Sequence, residues 1–222
     1  MNPKPPADAE QIQQAFLDCI LGAQRKAALD LILDTLNKGY SIPDIYLYVF
    51  QEVLYRIGQL WESNQITVAD EHMGTAITQF VMSNLYQHLE MSDMPQGNMV
   101  ITGVQGELHQ VGANMVADVL EADGWNVMFL GANVPPDGVL QSIAQHEARV
   151  VGISSTMRFN LPKVIALVEA ARSQFGDTLQ FLLGGGAFRG LSELPPPLIG
   201  CRLAVNLYDA RLQVRDIQRL AN

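Results

Sequence analysis

The chain has four histidines, and His109 is the one whose neighbours suggest metal chemistry. It sits in the run Gly103-Val104-Gln105-Gly106-Glu107-Leu108-His109-Gln110-Val111-Gly112. Glu107 precedes it by two residues, close enough for a carboxylate to hold one imidazole nitrogen while the other faces a metal. Gly112 has no Cβ, so a large group can approach the backbone there. By itself, a loop histidine reads as readily as a solvated side chain. A second acid–histidine pair, Glu71-His72, follows Trp61 after nine intervening residues. In isolation Trp61 reads as a core aromatic at a helix end, and Glu71-His72 as a solvated first turn favoured by the helix dipole. His88 and His146 fall on helical stretches away from both groups and read as surface residues. Cys19 and Cys201 are far apart, without metal-ligand spacing, which suits a reducing, cytoplasmic compartment.

Two kinds of element must position these residues. From Ile12 to about Met91 the apolar residues recur at helical spacing: Ile12, Phe16, Ile20 and Leu21, then Ala28, Leu29, Leu31, Ile32 and Leu36. Gly39 ends that second stripe as a helix C-cap. Ser41-Ile42-Pro43-Asp44 starts a third helix, which carries Ile45, Val49, Val53, Leu54 and Ile57 and ends near Trp61. Thr67-Val68-Ala69-Asp70 caps a fourth, running through Met73, Ile77, Phe80, Val81 and Leu85 to about Met91. Short joints between four amphipathic helices predict an antiparallel bundle over residues 8–92, after a disordered leader at 1–7.

Beyond the linker Ser92-Asp93-Met94-Pro95-Gln96-Gly97 the pattern alternates. Strand-like runs at 99–104, 127–130, 150–153, 181–183 and, more weakly, 203–205 are separated by helical stretches at 110–122, 136–145 and 162–175, with a last helix at 209–220. That alternation predicts α/β architecture over 97–222, a five-stranded parallel sheet with helices on both faces. In the flavodoxin-like strand order the switch point lies between the first and third strands, where ligands bind. His109 follows the first strand and Ser154 closes the third, so both belong to that crevice. Gly184-Gly185-Gly186 follows the fourth; alone it reads as a flexible turn, and beside the crevice as a slot into the sheet.

Counting from Gly112, 41 residues precede Ser154-Ser155-Thr156, and 27 more precede Gly184-Gly185-Gly186. This resembles the cobalamin-binding domain family, whose pattern is acidic-x-His-x-x-Gly, then Ser-x-Leu, then Gly-Gly at these distances. Glu107 replaces the commoner Asp, and Thr156 stands where Leu is usual. The resemblance implies a Rossmann-like domain in which His109 takes the lower axial position on cobalt. It further implies that Glu107 and Ser154 relay hydrogen bonds behind His109, that Leu108, Gly112 and Thr156 line the site, and that Gly184, Gly185 and Gly186 admit the cofactor's nucleotide tail. Trp61-x9-Glu71-His72 resembles the upper-face motif of light-sensing adenosylcobalamin proteins related to the MerR-type carotenoid-gene repressors. There the bundle caps the upper face of the corrin, with the Trp beside the adenosyl group and the Glu-His pair touching it. Those proteins often place a His after the Trp; Glu62 stands here, which excludes a bis-His photoproduct through that position. They also carry a DNA-binding helix-turn-helix, for which no room is expected before this bundle.

The expected function is therefore a non-enzymatic cobalamin sensor that binds adenosylcobalamin and signals after photolysis through a protein partner or self-association. The other forms admitted are methylcobalamin and hydroxocobalamin. The alternative is a corrinoid carrier in methyl transfer, which shares the bundle and the His loop; a storage or delivery module is a weaker third. A net charge of −9 with only 14 basic residues argues against a nucleic-acid surface. The start is polar and Pro-rich, unlike a signal peptide, and no apolar run approaches the roughly 18 residues a membrane span needs.

Overall fold

In a computed structural model, residues 5–191 and 193–221 are described; residues 1–4 of the expected leader lie outside them. The chain divides into two compact units, Met1–Leu89 and Glu90–Asn222.

The first unit is helical. α1 (Ala9–Leu21) and α2 (Arg25–Asn37) are followed by a continuous helical limb made of α3 (Ile42–Ile45), a π-helical turn (Tyr46–Phe50) and α4 (Gln51–Glu62); α5 (Val68–Leu85) completes the bundle. The caps work as the sequence indicates. Ser41 accepts the Asp44 amide, and Thr67 and Asp70 form a reciprocal capping box that starts α5. Phe16, Ile20, Ile45, Tyr46, Phe50, Val81 and Leu85 are fully buried, with the Phe16 and Phe50 rings 5.0 Å apart. A π turn occupies the apolar run Tyr46-Leu47-Tyr48-Val49-Phe50, which buries four of its five side chains. α5 stops at Leu85, short of Met91, and continues only as the 3-10 turn Tyr86–His88, where His88 is exposed.

The second unit is a five-stranded parallel sheet in the order β2-β1-β3-β4-β5, formed by β1 (Gly97–Gly103), β2 (Trp125–Phe129), β3 (Val150–Ser154), β4 (Gln180–Gly184) and β5 (Arg202–Ala204). Alternate side chains go to opposite faces. Met99, Ile101, Val150 and Leu182 pack under α6 (Val111–Ala122) and α9 (Leu207–Ala221). Val100, Val151, Ile153, Phe181 and Leu183 pack under α7 (Pro136–Gln145) and α8 (Leu161–Phe175). Both faces are covered, which is why these strands read as continuous apolar runs. The segment read as a linker is tied to this unit: the Ser92 amide bonds Ala122 O at 2.9 Å and the Gln96 amide bonds Gly124 O at 2.9 Å. His146 is half-buried rather than a bare surface residue, its Nε2 2.9 Å from Asn126 O and its own carbonyl held by Asn98 Nδ2 at 2.7 Å.

Candidate functional site

The carboxyl ends of four strands lie in register, Gly103 opposite Ser154, Ser154 opposite Gly184, and Gly184 opposite Ala204. The loops that leave β1, β3 and β4 therefore emerge side by side at the point where the strand order switches. The β1 loop turns tightly: the Glu107 amide bonds Val104 O at 2.9 Å, Gly106 takes φ +84°, and the Gly106 amide is held by Asn133 Oδ1 at 2.8 Å. This turn points Glu107 inward and leaves Leu108 and His109 outside.

Glu107 is 0% exposed, and its carboxylate joins the two loops. Oε1 accepts from the His109 amide at 3.1 Å and lies 2.5 Å from His109 Nδ1. Oε2 accepts from the Thr156 amide (2.7 Å), the Met157 amide (3.2 Å), Asn160 Nδ2 (3.2 Å) and, at 3.5 Å, Ser155 Oγ. Burial pushes the carboxyl pKa up, but the bonds from the His109 ring and amide and from the Thr156 and Met157 amides outweigh it and hold the group down to about 2. Glu107 is thus a fixed anion. Nδ1 faces this anion, so Nε2 lies on the opposite edge of the ring, on a side chain 54% exposed.

Two expected roles shift on these distances. The serine that reaches the carboxylate is Ser155, not Ser154: Ser154 is the last residue of β3, and a one-residue step along a strand end reverses the side chain's direction. Thr156 contributes its backbone amide to Glu107. Gly185 and Gly186 are small first because another backbone needs the space. A Cβ on Gly185, at φ +103°, would stand 2.3 Å from Ser155 O, and one on Gly186 would stand 3.1 Å from Thr156 O. The Ala187 amide bonds Ser155 O at 3.0 Å across the same approach. Gly184 makes only ordinary contact, its Cβ position 3.6 Å from Ala204 O. At Gly112, in the first turn of α6, a Cβ would meet nothing within 4 Å.

Exposed apolar side chains stand on the same two loops as His109 and the Glu107 donors. Leu108 is 75% and Phe159 67% exposed, with Met157 also exposed. A cavity of about 410 Å³ lies at the other, amino end of the sheet, between Ile143, Arg149 and Leu179, and includes no residue of the Glu107 network. An open apolar shelf around one imidazole suits a broad flat ring with a metal at its centre. The donor set agrees, since one imidazole backed by a carboxylate suits a single axial position rather than a complete metal site, and among the described residues no cluster of three or more His, Cys, Asp or Glu could hold an ion alone.

In the bundle, Trp61 is the penultimate residue of α4 and is half exposed, while Glu71 and His72 lie in the first turns of α5, across the short joint at 63–67. His72 Nδ1 is 2.5 Å from Glu71 Oε2, and Glu71 Oε1 accepts Thr75 Oγ1 at 3.0 Å. The three residues thus share one end of the bundle. Asn160 was invisible as a site residue from the sequence, where an Asn just before Leu161-Pro162 reads as a helix cap.

Two family models match, each described as a B12 binding domain, one over residues 12–86 and the other over residues 97–195. A corrinoid protein of Desulfitobacterium hafniense (strain Y51) is 22% identical over 182 residues, 80% of this chain and 82% of that protein. The methionine synthase of Mycobacterium leprae (strain TN) is 27% identical over 138 residues, 59% of this chain but only 11% of that enzyme. Among solved structures, the Methanosarcina barkeri monomethylamine corrinoid protein superposes with a TM-score of 0.80 at 18% identity, covering 96% of this chain and 100% of its own; the two share a fold. Among the described residues no helix is long and apolar enough to cross a membrane.

Proposed function

We propose that this cobalamin-binding chain, made of two B12 binding domains, is a corrinoid carrier that presents an alkyl-cobalt group to a partner methyltransferase and is not itself a catalyst. The observation that carries the reading is the His109–Glu107 pair at 2.5 Å, on a buried anion and beside an open apolar shelf. When bound, the corrinoid supplies a cobalt–carbon bond whose alkyl group can be transferred. The chain's own residues do the rest. His109 would hold the cobalt through Nε2. Glu107 fixes the ring's tautomer and orientation and strengthens its basicity. Bonds from the His109 ring and amide and from the Thr156 and Met157 amides keep Glu107 ionised. The exposed Leu108, Met157 and Phe159 would bed the corrinoid, and Gly112 would leave room for its approach. The glycine run beside Ser155 would admit the cofactor's nucleotide tail. The relatives favour the carrier over the light sensor, being corrinoid proteins and methionine synthases.

The sensor keeps one observation in its favour, the grouping of Trp61, Glu71 and His72 at one end of the bundle. A single experiment separates the two. The protein is loaded with methylcobalamin or with adenosylcobalamin in the dark, its visible spectrum is recorded, and it is sized before and after green light. The carrier is expected to bind methylcobalamin with His109 on cobalt and to elute at the same volume in dark and light. A light-dependent change of elution with adenosylcobalamin alone transfers the assignment to the sensor. No spectral sign of histidine on cobalt in either complex removes both.

A further inference from the structure

The cavity of about 410 Å³ at the amino end of the sheet has the size of a small-molecule site. It opens between the carboxyl ends of α7 and α8, and Ile143, Ala148, Phe175 and Leu179 give it apolar walls. The same lining carries two charges, Glu147 and Arg149, both exposed. Among the described residues neither side chain has a hydrogen bond or an ion pair, with the other or with a third group. Their backbones are nonetheless fixed. The Arg149 amide bonds Asn98 O at 3.1 Å, and its carbonyl accepts the Gln180 amide at 2.9 Å, which seats it just before β3. Glu147 takes φ +50°, the left-handed conformation that a helix end ordinarily gives to Gly or Asn. The other wall is closed by Thr178 Oγ1 on Phe175 O at 3.3 Å. α7 has no basic residue in its last turn, so its carboxyl-terminal dipole adds to the negative side of the rim beside Glu147. A cation and an anion that do not pair, above apolar walls, are complementary to a small zwitterion with an apolar side chain.

We infer that this cavity binds a free α-amino acid with an apolar side chain, of the leucine or phenylalanine kind. The Arg149 guanidinium, whose fork matches a carboxylate in shape as well as charge, takes the α-carboxylate. Glu147 takes the α-ammonium, and Ile143, Phe175 and Leu179 enclose the side chain. The cavity lies at the ends of β3 and β4 away from His109 and shares no residue with the Glu107 network, so the inference stands apart from the cobalamin reading.

The test compares L-leucine with two relatives that each lack one charge: isocaproate, without the ammonium, and isoamylamine, without the carboxylate. Each is titrated into the whole chain to about 10 mM, roughly ten times the half-filling concentration of a millimolar site. Binding is followed by two-dimensional amide NMR at residues 143–149 and 175–180. Leucine is expected to shift those resonances, and each relative to bind at least about tenfold more weakly, the worth of one charge-assisted hydrogen bond. Arg149→Gln should lower leucine affinity by a similar factor and leave isoamylamine unaffected. Glu147→Gln should do the same to leucine and leave isocaproate unaffected. Both positions are exposed, so both variants are expected to fold. No shift with leucine or with L-phenylalanine at the highest concentration overturns the inference. So does a leucine affinity that either relative equals, or that neither variant changes. None of these outcomes moves the spectrum of histidine on cobalt, which tests the cobalamin site by itself.

Discussion

At the scale of single residues, Glu107 sets the behaviour of the site. Its pKa of about 2 lies below the ordinary carboxyl value of 4.5. A depressed carboxyl stabilises the fold above its unfolded pKa, and that contribution is lost as pH falls through the folded value. The window here runs from about pH 4.5 down to about 2, and the contribution is on the order of 3 kcal/mol. Denaturation of the cofactor-free protein should therefore show the parent losing stability across that window by more than Glu107→Gln does. Parallel pH profiles would mean that the carboxylate is not held as its bonds indicate. For the proposed ligand the prediction is sharper. His109→Ala should fold, since the ring is half exposed, but should lose the histidine-on spectrum with every cobalamin offered. An unchanged spectrum would assign the axial position to another group.

At the scale of elements, the decisive contacts are between loops rather than within them. Gly185 lets the β4 loop lie directly on Ser155, and neither its φ of +103° nor the 2.3 Å approach tolerates a Cβ. Gly185→Ala should cost on the order of 3 kcal/mol, read by chemical denaturation, and should weaken cobalamin binding beyond that by displacing the Thr156 and Met157 amides. A loss under about 1 kcal/mol would show that the loop has somewhere to go. Gly112 predicts the reverse. Its Cβ position is open and its helical backbone is ordinary, so Gly112→Ala should leave the free protein as stable or raise it by up to about 1 kcal/mol. Gly112→Phe, equally able to fold, should lower cobalamin affinity at least tenfold if that space admits the ring. Full affinity in the Phe variant would place the corrin elsewhere.

At the scale of the whole molecule, a ligand that binds only the folded protein stabilises it by mass action, about 2.7 kcal/mol when present at a hundred times its Kd. Methylcobalamin should raise the melting temperature accordingly in the parent and far less in His109→Ala. The proposed capping role of the bundle has its own readout. Hydrogen exchange at residues 61–72 should slow when cobalamin is added, alongside residues 104–112. Protection confined to the second group would restrict the site to the sheet domain and leave Trp61, Glu71 and His72 as features of a helix joint.

What the sequence determined by itself was whatever depends on local spacing. Helical and strand periods, the Ser41 and Thr67 caps, and the alternation that forces a parallel sheet are each written within a few residues, because burial of one face imposes its own repeat. The acid-x-His-x-x-Gly run was legible for the same reason, as was its place after β1. What only the tertiary structure decided was which groups meet across the crevice. A strand's two-residue alternation makes Ser154 and Ser155 point opposite ways, and the pattern could not say which one faces Glu107. Asn160 carries no local mark of a place in the site. Its true partner is a carboxylate 53 residues away, brought there by the parallel pairing of β1 with β3. The glycine run looked like a channel and proved first to be a place where two backbones touch. Long-range contacts of this kind are set by how packed elements bring their ends together, and no repeat in the chain encodes them.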